Sequence, residues 1–347
     1  LREGVPDAIA ALTAAGVSTI VVTGDHAVTA AAIAAKAGLA PGEVLSGAEA
    51  EAMPHAELDA RLVHGAVIAR ATPKTKHRVV QVLQGRHEVV ALTGDGANDA
   101  PALAAADVGI ALGARGADLA RAAADLVLVD DAYPTVVTAI GAGRNITAQL
   151  RRAVAFYLAA KLALVTVMIV ALAVGLPSPF APVHIVLLEI FMDLGASVAF
   201  VAEPAAPDAM HRPPRAPGAR FMDRGMIAAI VTTAASLVIA VLPAYLILTA
   251  LGEPPRIARA GAVLAWLAAH VLIAWTLRTQ PWLSWRTSFA FPIWAGVAIL
   301  VGMLVGVTPI GGLIGLGMLP PMGLAVVAGL VLIATLAAAA ASRLLRL

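Results

Sequence analysis

The chain has 347 residues, of which 60% are hydrophobic and only 13% charged, and its formal net charge is +2. Soluble domains carry about 45–50% apolar and about 25% charged residues, so this composition predicts a large membrane-embedded part. The absence of cysteine excludes disulfides and thiolate sites, and lysines and arginines that flank apolar segments without a basic run indicate no nucleic-acid partner.

The first 133 residues alternate short apolar runs with helical patterns. Strands are predicted over 17–23, 66–70, 88–93, 108–112 and 126–129, helices over 27–38, 74–83 and 98–105, and a less ordered insertion over 41–65. This alternation predicts an α/β, Rossmann-like domain with a mostly parallel sheet and helices on both faces. Ligands of such sheets bind beyond the carboxyl ends of the strands.

A helical pattern then runs without a break from Pro134 to about Gly175. At 1.5 Å per residue it is about 60 Å long, which exceeds the roughly 20 residues that a membrane span needs. We therefore expect a stalk helix over 134–150 that continues into the first membrane span, with Arg151 and Arg152 at the water interface.

An all-helical transmembrane domain of six spans is predicted over 151–347. The spans lie at about 151–175, 183–202, 226–250, 260–279, 289–308 and 320–341. Arginines follow the second, fourth and sixth spans, whereas the loops near 176–182 and 308–319 carry no charge. The positive-inside rule then places both ends of this domain in the cytoplasm.

Two Thr-Gly-Asp sequences stand at predicted strand ends, the second of them within the stretch ALTGDGANDAPAL. In the first, Thr23 and the amide of Gly24 can cradle phosphoryl oxygens. A single such sequence is commonly only a turn, because Asp and Gly end strands routinely. Two of them with Lys76 between them indicate a site for phosphoryl chemistry.

The second Thr-Gly-Asp continues into further polar residues. Asp95 and Asp99 are four residues apart across a strand-to-helix turn, so both can face a hard cation that prefers oxygen ligands, such as Mg²⁺. Asn98 can orient or donate to the same ligand. The cluster therefore predicts metal-assisted phosphoryl transfer.

Ionisable residues inside the spans indicate a transport site, because each costs roughly 2.5–3.5 kcal/mol on insertion scales. Glu189 and Asp193 are four residues apart and share a helical face. Lys161 lies too deep in the first span for its amine to snorkel to the interface. His184 and His270 are possible helpers, although a lone histidine in a span is more often a hydrogen-bonded interface residue.

The chain resembles the C-terminal part of a P-type cation-transporting ATPase of the calcium, sodium/potassium and proton pump type, over nearly all of its length. The resemblance implies the second half of a haloacid-dehalogenase-like phosphorylation domain, followed by the last six membrane helices. The motifs that carry it are Leu1-Arg2, Val21–Asp25, Ala69–Lys76, Thr93–Leu103, Asp130-Asp131, Gly175–Pro177, Met192-Asp193 and Met210–Arg215.

By this resemblance Asp95 coordinates Mg²⁺, with Asn98 and Asp99 completing the site. Thr23–Asp25 would contact the phosphoryl group and the phosphates of the nucleotide, and Lys76 would offset the charge of an aspartyl phosphate. The implied cofactors are ATP and Mg²⁺.

The family's phosphorylated aspartate lies in an Asp-Lys-Thr-Gly-Thr motif, which this sequence does not contain. The sequence also lacks the nucleotide-binding domain, the Thr-Gly-Glu motif and the first four membrane helices of the family. The resemblance nevertheless implies that Arg2 lies near the bound nucleotide. The chain starts in what reads as the middle of a domain, which indicates a fragment. Alone it should not form the covalent intermediate.

The membrane residues depart from the calcium-pump pattern. That pump carries Asn at the place of Glu189 and Asp at the place of Asp193, and supplies Asn and Glu where this chain has Lys161 and Leu164. A fixed cation argues against a calcium site of the usual kind. Lys161 would instead serve as counter-ion to a carboxylate, which suits a proton, a monovalent cation or an unusual divalent site.

Three functions stay open at this point. The first is part of an ATP-driven pump in the plasma (inner) membrane, with the N-terminal domain cytoplasmic and with ATP, a transported cation and the lipid bilayer as partners. The second is a truncated or split-pump subunit without ATPase activity, completed by a chain that carries the phosphorylated aspartate. The third, a membrane-tethered phosphatase, is opposed by the missing nucleophile.

Overall fold

The computed structural model describes residues 1–40, 42–113, 116–190, 195, 200–203, 206, 208–216, 218–278 and 289–345. Two compact units divide the chain. The first unit comprises residues 1–144 and 207–219, and the second comprises 145–206 and 220–347.

The first unit alternates strands and helices, as the sequence pattern predicts. Its strands are β1 Val21–Val22, β2 Val44–Ser46, β3 Val67–Ala69, β4 Ala91–Gly94, β5 Val108–Leu112 and β6 Leu126–Leu128. Its helices are α1 Val5–Ala14, α2 Ala27–Lys36, α3 Gly47–Ala52, α4 His55–Arg61, α5 Pro73–Gly85, α6 Ala100–Ala105 and α7 Asp118–Ala123.

All described strand pairs are parallel, which confirms the predicted strand direction. The strands form two three-stranded sheets, in the orders β1-β3-β2 and β4-β5-β6, where one sheet was expected. β1 and β4 are therefore both edge strands, and each leads into a Thr-Gly-Asp sequence. No described strand pairs with the free edge of either.

The β1-β3-β2 sheet is covered on both faces, because successive strand residues point to opposite sides. Val67 of β3 packs with Ile9 of α1 and Ala34 of α2, whereas the next residue, Ile68, packs with Leu58 of α4 and Val79 of α5. The prediction of helices on both faces is confirmed for this sheet.

The expectation of a less ordered insertion at 41–65 is wrong for its described residues. β2 pairs with β3 in this stretch, and α3 and α4 follow. Ser46 starts α3 with a capping box, in which its hydroxyl accepts from the N–H of Glu49 and its own N–H donates to the Glu49 carboxylate. Such short elements lack the apolar periodicity by which longer helices and strands are recognised.

A single helix, α8, spans Pro134–Ala173, close to the predicted range. It ends before Gly175, which adopts a left-handed conformation with φ 77°. The backbone N–H groups of residues 174–176 donate hydrogen bonds to carbonyls of the last helical turn. Glycine suits this C-terminal position because it has no Cβ to strain. The boundary between the two units falls within α8, after Arg144.

The second unit is helical. After α8 come α9 Pro182–Leu188, α10 Arg224–Ala250, α11 Pro255–Thr276, α12 Ala290–Val307 and α13 Pro321–Leu345. Within the described residues, α8 and α10 to α13 are long and apolar enough to cross a membrane. The second predicted span begins with α9, but most of its remainder lies outside the described residues.

Helix α11 is the most buried of the long apolar helices. Small side chains on it, such as Ala260, Ala265 and Ala269, are fully buried and allow neighbouring helices to approach closely. In the loop after α8, the carbonyl of Pro177 accepts a hydrogen bond from the Tyr245 hydroxyl at 2.7 Å. This contact ties the loop before α9 to α10.

Candidate phosphoryl-transfer site and membrane ion pair

The carboxyl end of β4 forms a tight turn around Asp99. After Asp95 the chain makes one 3₁₀ turn over Ala97–Asp99 and enters α6. The N–H of Gly96 donates to Oδ2 of Asp99 at 3.2 Å, and Asp99 is buried. This carboxylate is therefore fixed directly beside the strand end.

Gly94 is required by the position of Asp99. A Cβ on residue 94 would lie 2.7 Å from Cβ and 2.8 Å from Oδ2 of Asp99, which is closer than van der Waals contact permits. The glycine of this Thr-Gly-Asp thus makes room for the second aspartate. By contrast, a Cβ on Gly24 would meet no atom within 4 Å.

Lys76 is brought to the same place by α5. Its Nζ lies 2.5 Å from Oδ1 of Asp99, and the two side chains are only 20% and 8% exposed. The structure thus joins two of the residues selected from the sequence, although their catalytic role stays a prediction.

The start of α5 is held by a small hydrogen-bond network. The Thr72 hydroxyl accepts from the N–H of Thr75 at 3.1 Å, and both hydroxyls donate to Glu51 at 2.6 Å. These hydrogen bonds lower the pKa of Glu51, with the Thr72 bond the largest cause. The network is therefore most stable at pH values above the ordinary glutamate pKa, and it weakens as the pH falls and Glu51 takes up a proton. It orients the first turn of α5, which carries Lys76.

The first Thr-Gly-Asp folds back on itself at the end of β1. The Thr23 hydroxyl accepts from the N–H of Asp25 at 3.2 Å, and the Asp25 carbonyl accepts from the N–H of Arg70 at 2.8 Å. Arg70 has φ 51° and its guanidinium lies 2.9 Å from Nδ1 of His26. Neither Arg70 nor His26 was selected from the sequence, although Arg70 stands in the ARATPK stretch after β3.

The donor set at β4 fits Mg²⁺. Asp95 and Asn98 are exposed, and the described residues offer the Asp95 carboxylate no hydrogen bond or ion pair. Within that part of the chain no group of three or more His, Asp or Glu side chains is assembled for a metal. One or two carboxylates suffice for Mg²⁺, which usually keeps several waters and binds phosphate oxygens as well.

The remaining selected residues of the first unit are Thr23–Asp25 and Arg2. In the described part of the chain, no hydrogen bond or ion pair joins Thr23–Asp25 to Asp95–Asp99, which follow strands of different sheets. Arg2 donates to the backbone carbonyl of Asp131, a residue with φ 53° just before α8. Its predicted place near a nucleotide is untested.

In the second unit, α8 and the end of α9 form an ion pair. Lys161 Nζ lies 2.8 Å from Oε1 of Glu189 and 5.1 Å from the ring centre of Tyr157. The Lys161 and Glu189 side chains are 30% and 49% exposed. At Glu189 the helix changes from α to π geometry, a distortion frequent at functional sites. Asp193 lies outside the described residues.

A small cavity adjoins this pair. It measures about 10 Å³, the size of one water molecule. Besides the ion pair, its lining consists of Ala160, Leu164, Leu188 and Trp266.

The two histidines of the spans are both buried. His184 accepts from the N–H of Ala181 at 3.1 Å through Nδ1, and its Nε2 lies 2.8 Å from the carbonyl of Ile314, so it joins two loops. His270 stacks on Trp266, and neither ring nitrogen has a partner among the described residues. Hydrogen bonds to two loops therefore account for the buried position of His184, whereas no described hydrogen bond accounts for that of His270.

Comparison with known proteins accounts for both units. A family model described as cation transporting ATPase, C-terminus, matches residues 177–344. A second, described as haloacid dehalogenase-like hydrolase, matches residues 1–107. The first lies within the part that contains the long apolar helices, so the chain is an integral membrane protein.

Three named proteins align with most of this chain. A calcium-transporting ATPase of Listeria monocytogenes is 32% identical over 90% of this chain and 35% of its own length. Another from Yarrowia lipolytica is 37% identical over 70% of the chain and 27% of its own length. A probable cation-transporting ATPase of Mycobacterium tuberculosis is 39% identical over 62% and 24%, respectively.

The chain thus spans about a quarter to a third of the length of these relatives. The two family models, the parallel sheets with their Thr-Gly-Asp ends and the apolar helices agree with one another. The chain belongs to the P-type cation-transporting ATPases and corresponds to their C-terminal part.

Proposed function

We propose that the chain is the C-terminal portion of an ATP-driven cation pump, which couples ATP hydrolysis to ion transport through an aspartyl phosphate. The observation that carries this proposal is the Lys76–Asp99 ion pair next to the exposed carboxylate of Asp95. Gly94 permits this pair because it leaves space for the Asp99 side chain. A largely shielded cation next to an oxygen-rich strand end suits the stabilisation of charge on a phosphoryl group.

Each residue has a distinct part in this scheme. Asp95 and Asp99 supply carboxylates for Mg²⁺, with Asn98 completing the site, and the metal, when bound, would offset negative charge on phosphoryl oxygens. Asp99 also pairs with the Lys76 ammonium, which would offset negative charge on the phosphoryl group. Thr23 and the unobstructed amide of Gly24 are the donors for the other phosphoryl oxygens.

The phosphorylated aspartate must come from another segment, in the missing N-terminal part or in a second chain. Support comes from the sheet edges: β1 and β4 each leave one edge unpaired among the described strands, and each ends in Thr-Gly-Asp. A parallel strand added at these edges would carry its C-terminal residue to both motifs at once. The isolated chain is then inactive.

The transported ion would bind at Glu189 and Asp193, with Lys161 as their counter-ion. Lys161 is a built-in cation that neutralises Glu189 when no ion is present, and partial exposure leaves the pair able to exchange. This arrangement suits a proton, a monovalent cation or an unusual divalent site. We further propose that the first unit is cytoplasmic and that the host membrane is the plasma membrane, because the charged loops follow the positive-inside rule.

The proposal is tested on the native polypeptide in its own membranes. An antibody raised against residues 42–65 identifies the species, and labelled ATP reports phosphorylation. A species well above 35.2 kDa with an acid-stable label is expected for the rear part of an active pump. A 35.2 kDa species without label would instead support the alternative, a split or truncated subunit with no ATPase activity of its own.

Carbodiimide cross-linking tests the membrane pair in the isolated chain. Lys161 is the sole lysine of residues 134–347, so a zero-length cross-link in this part of the chain is unambiguous. We expect an isopeptide bond from Lys161 to Glu189, identified by mass spectrometry, because their charged atoms are in contact. Glu189→Gln should abolish this product and Glu253→Gln, a control at another helix end, should not; attachment to a different carboxylate would contradict the assignment.

A further inference from the structure

A second ionic cluster in the second unit is more deeply buried than the Lys161–Glu189 pair. The Glu203 side chain is completely shielded from solvent. Its Oε1 pairs with Nε of Arg278, just beyond α11, and its Oε2 lies 3.3 Å from Nη1 of Arg152 on α8. Each carboxylate oxygen therefore has an arginine from a different element.

Further contacts immobilise the same group, which we call the Glu203 cluster: Glu203, Arg152, Arg278 and Gln149. The buried Gln149 amide donates to the backbone carbonyl of Glu203. The Arg278 guanidinium lies 5.4 Å from the ring centre of Trp275 and 4.8 Å from that of Phe291. These aromatic faces favour the cation electrostatically.

The cluster is hard to open. A buried carboxylate whose cationic partner is withdrawn is left unpaired in a medium of low dielectric constant, which is strongly unfavourable. The Lys161–Glu189 pair differs, because both of its side chains are partly exposed and can be replaced by water or an ion. The two contacts therefore differ in kind: the Glu203 cluster is fixed, and the Lys161–Glu189 pair is exchangeable.

Both contacts join the same two segments of the chain. Arg152 and Lys161 lie on α8, about 13 Å apart along the helix axis. Glu189 and Glu203 lie within residues 182–203, which start with α9 and are here called the α9 segment; residues 191–194 and 196–199 of it lie outside the described residues. Between Arg152 and Lys161 on α8, the ring of Phe156 packs edge-on against the ring of Phe200, with 5.4 Å between their centres. Sliding α8 against residues 200–203 would break the Glu203 cluster and the Phe156–Phe200 contact.

We propose that the Glu203 cluster is a fixed anchor that sets the register of α8 against the α9 segment and so keeps Lys161 opposite Glu189. Glu203 and Arg152 are then positioning residues for the ion pair. The inference rests on the proposed function only in taking Lys161 and Glu189 as the ion site. The register itself is a property of the isolated chain.

The test uses the Lys161–Glu189 cross-link yield in the full 347-residue chain, purified in detergent. Arg152→Gln removes one arm of the anchor and should lower the yield at least about threefold, the coupling expected of groups within one contact network. Arg151→Gln is the matched control. That neighbour pairs with Asp223 at 2.5 Å, outside the cluster, and its loss should leave the yield unchanged.

Two further readouts separate positioning from general loss of structure. Arg152→Lys retains the charge and should recover the Lys161–Glu189 product, which is distinguished by mass from any product of the new lysine. Circular dichroism should show unchanged helix content in all three variants. Equal yields for Arg152→Gln and Arg151→Gln, or a failure of Arg152→Lys to recover the product, would overturn the proposal.

Glu203→Gln is the stronger perturbation and leaves two arginines without their carboxylate. It should reduce the cross-link further than Arg152→Gln; a fold that is retained with full cross-linking would contradict the anchor. These results are independent of pump activity. If no phosphorylated species exists in native membranes, the proposed function fails while the register measurements stand.

Discussion

Gly94→Ala is expected to displace Asp99 and break its ion pair with Lys76. The added Cβ would lie 2.7 Å from the Cβ of Asp99, so the 3₁₀ turn must move. Overpacking of this kind costs about 1–3 kcal/mol, and the Lys76 ammonium loses its partner in addition. Faster amide hydrogen exchange over residues 91–105 of the full chain would report the loosened turn.

The first Thr-Gly-Asp offers a matched control. Gly24→Ala makes the same change in the same tripeptide, but its Cβ meets no atom within 4 Å and the backbone there does not need glycine. Exchange near β1 and β3 should therefore stay close to that of the unmodified chain. Equal perturbation by the two variants would mean that Asp99 does not set the requirement for Gly94.

Asp95→Asn is expected to remove phosphorylation in a complete pump that contains this chain. The neutral amide keeps the size of the side chain but supplies no charge for Mg²⁺, and the loss of one electrostatic element of this kind lowers the rate about 10²–10³-fold. Acid-stable incorporation from labelled ATP, measured across a range of Mg²⁺ concentrations, is the direct readout.

The control for Asp95 is Asp118→Asn in the same unit. The Asp118 side chain is 95% exposed and pairs only with Arg121 three residues away among the described residues. Its loss should leave phosphorylation and the Mg²⁺ dependence unchanged. Normal phosphorylation in Asp95→Asn would remove this aspartate from the metal site, whereas loss in both variants would point to a general effect of charge.

Local pattern was sufficient for the elements that are long and regular. α8 was located to within about two residues because its apolar residues recur over forty residues with no proline after the first position. The division of the strands into two sheets was not foreseen, because pairing joins β1 to β3 across more than forty residues. Nothing local to Val21 or Val67 encodes that choice.

The candidate sites divide in the same way. Lys76 and Asp99 were selected from motifs in the sequence, and the structure brings them into contact. The Glu203 cluster was missed. Arg152 had been interpreted as an interface residue, and its partner lies 51 residues further along the chain. Arginines that follow the positive-inside rule and arginines that form a buried network look alike until the helices are assembled.

The unpaired edges of β1 and β4 also bear on how the chain behaves when it is produced alone. An exposed strand edge offers free N–H and C=O groups to any other chain and is a common route to aggregation. With β1 and β4 both open among the described strands, the chain produced alone should pair with further copies of itself. A segment that adds a strand at these edges would remove that route to aggregation.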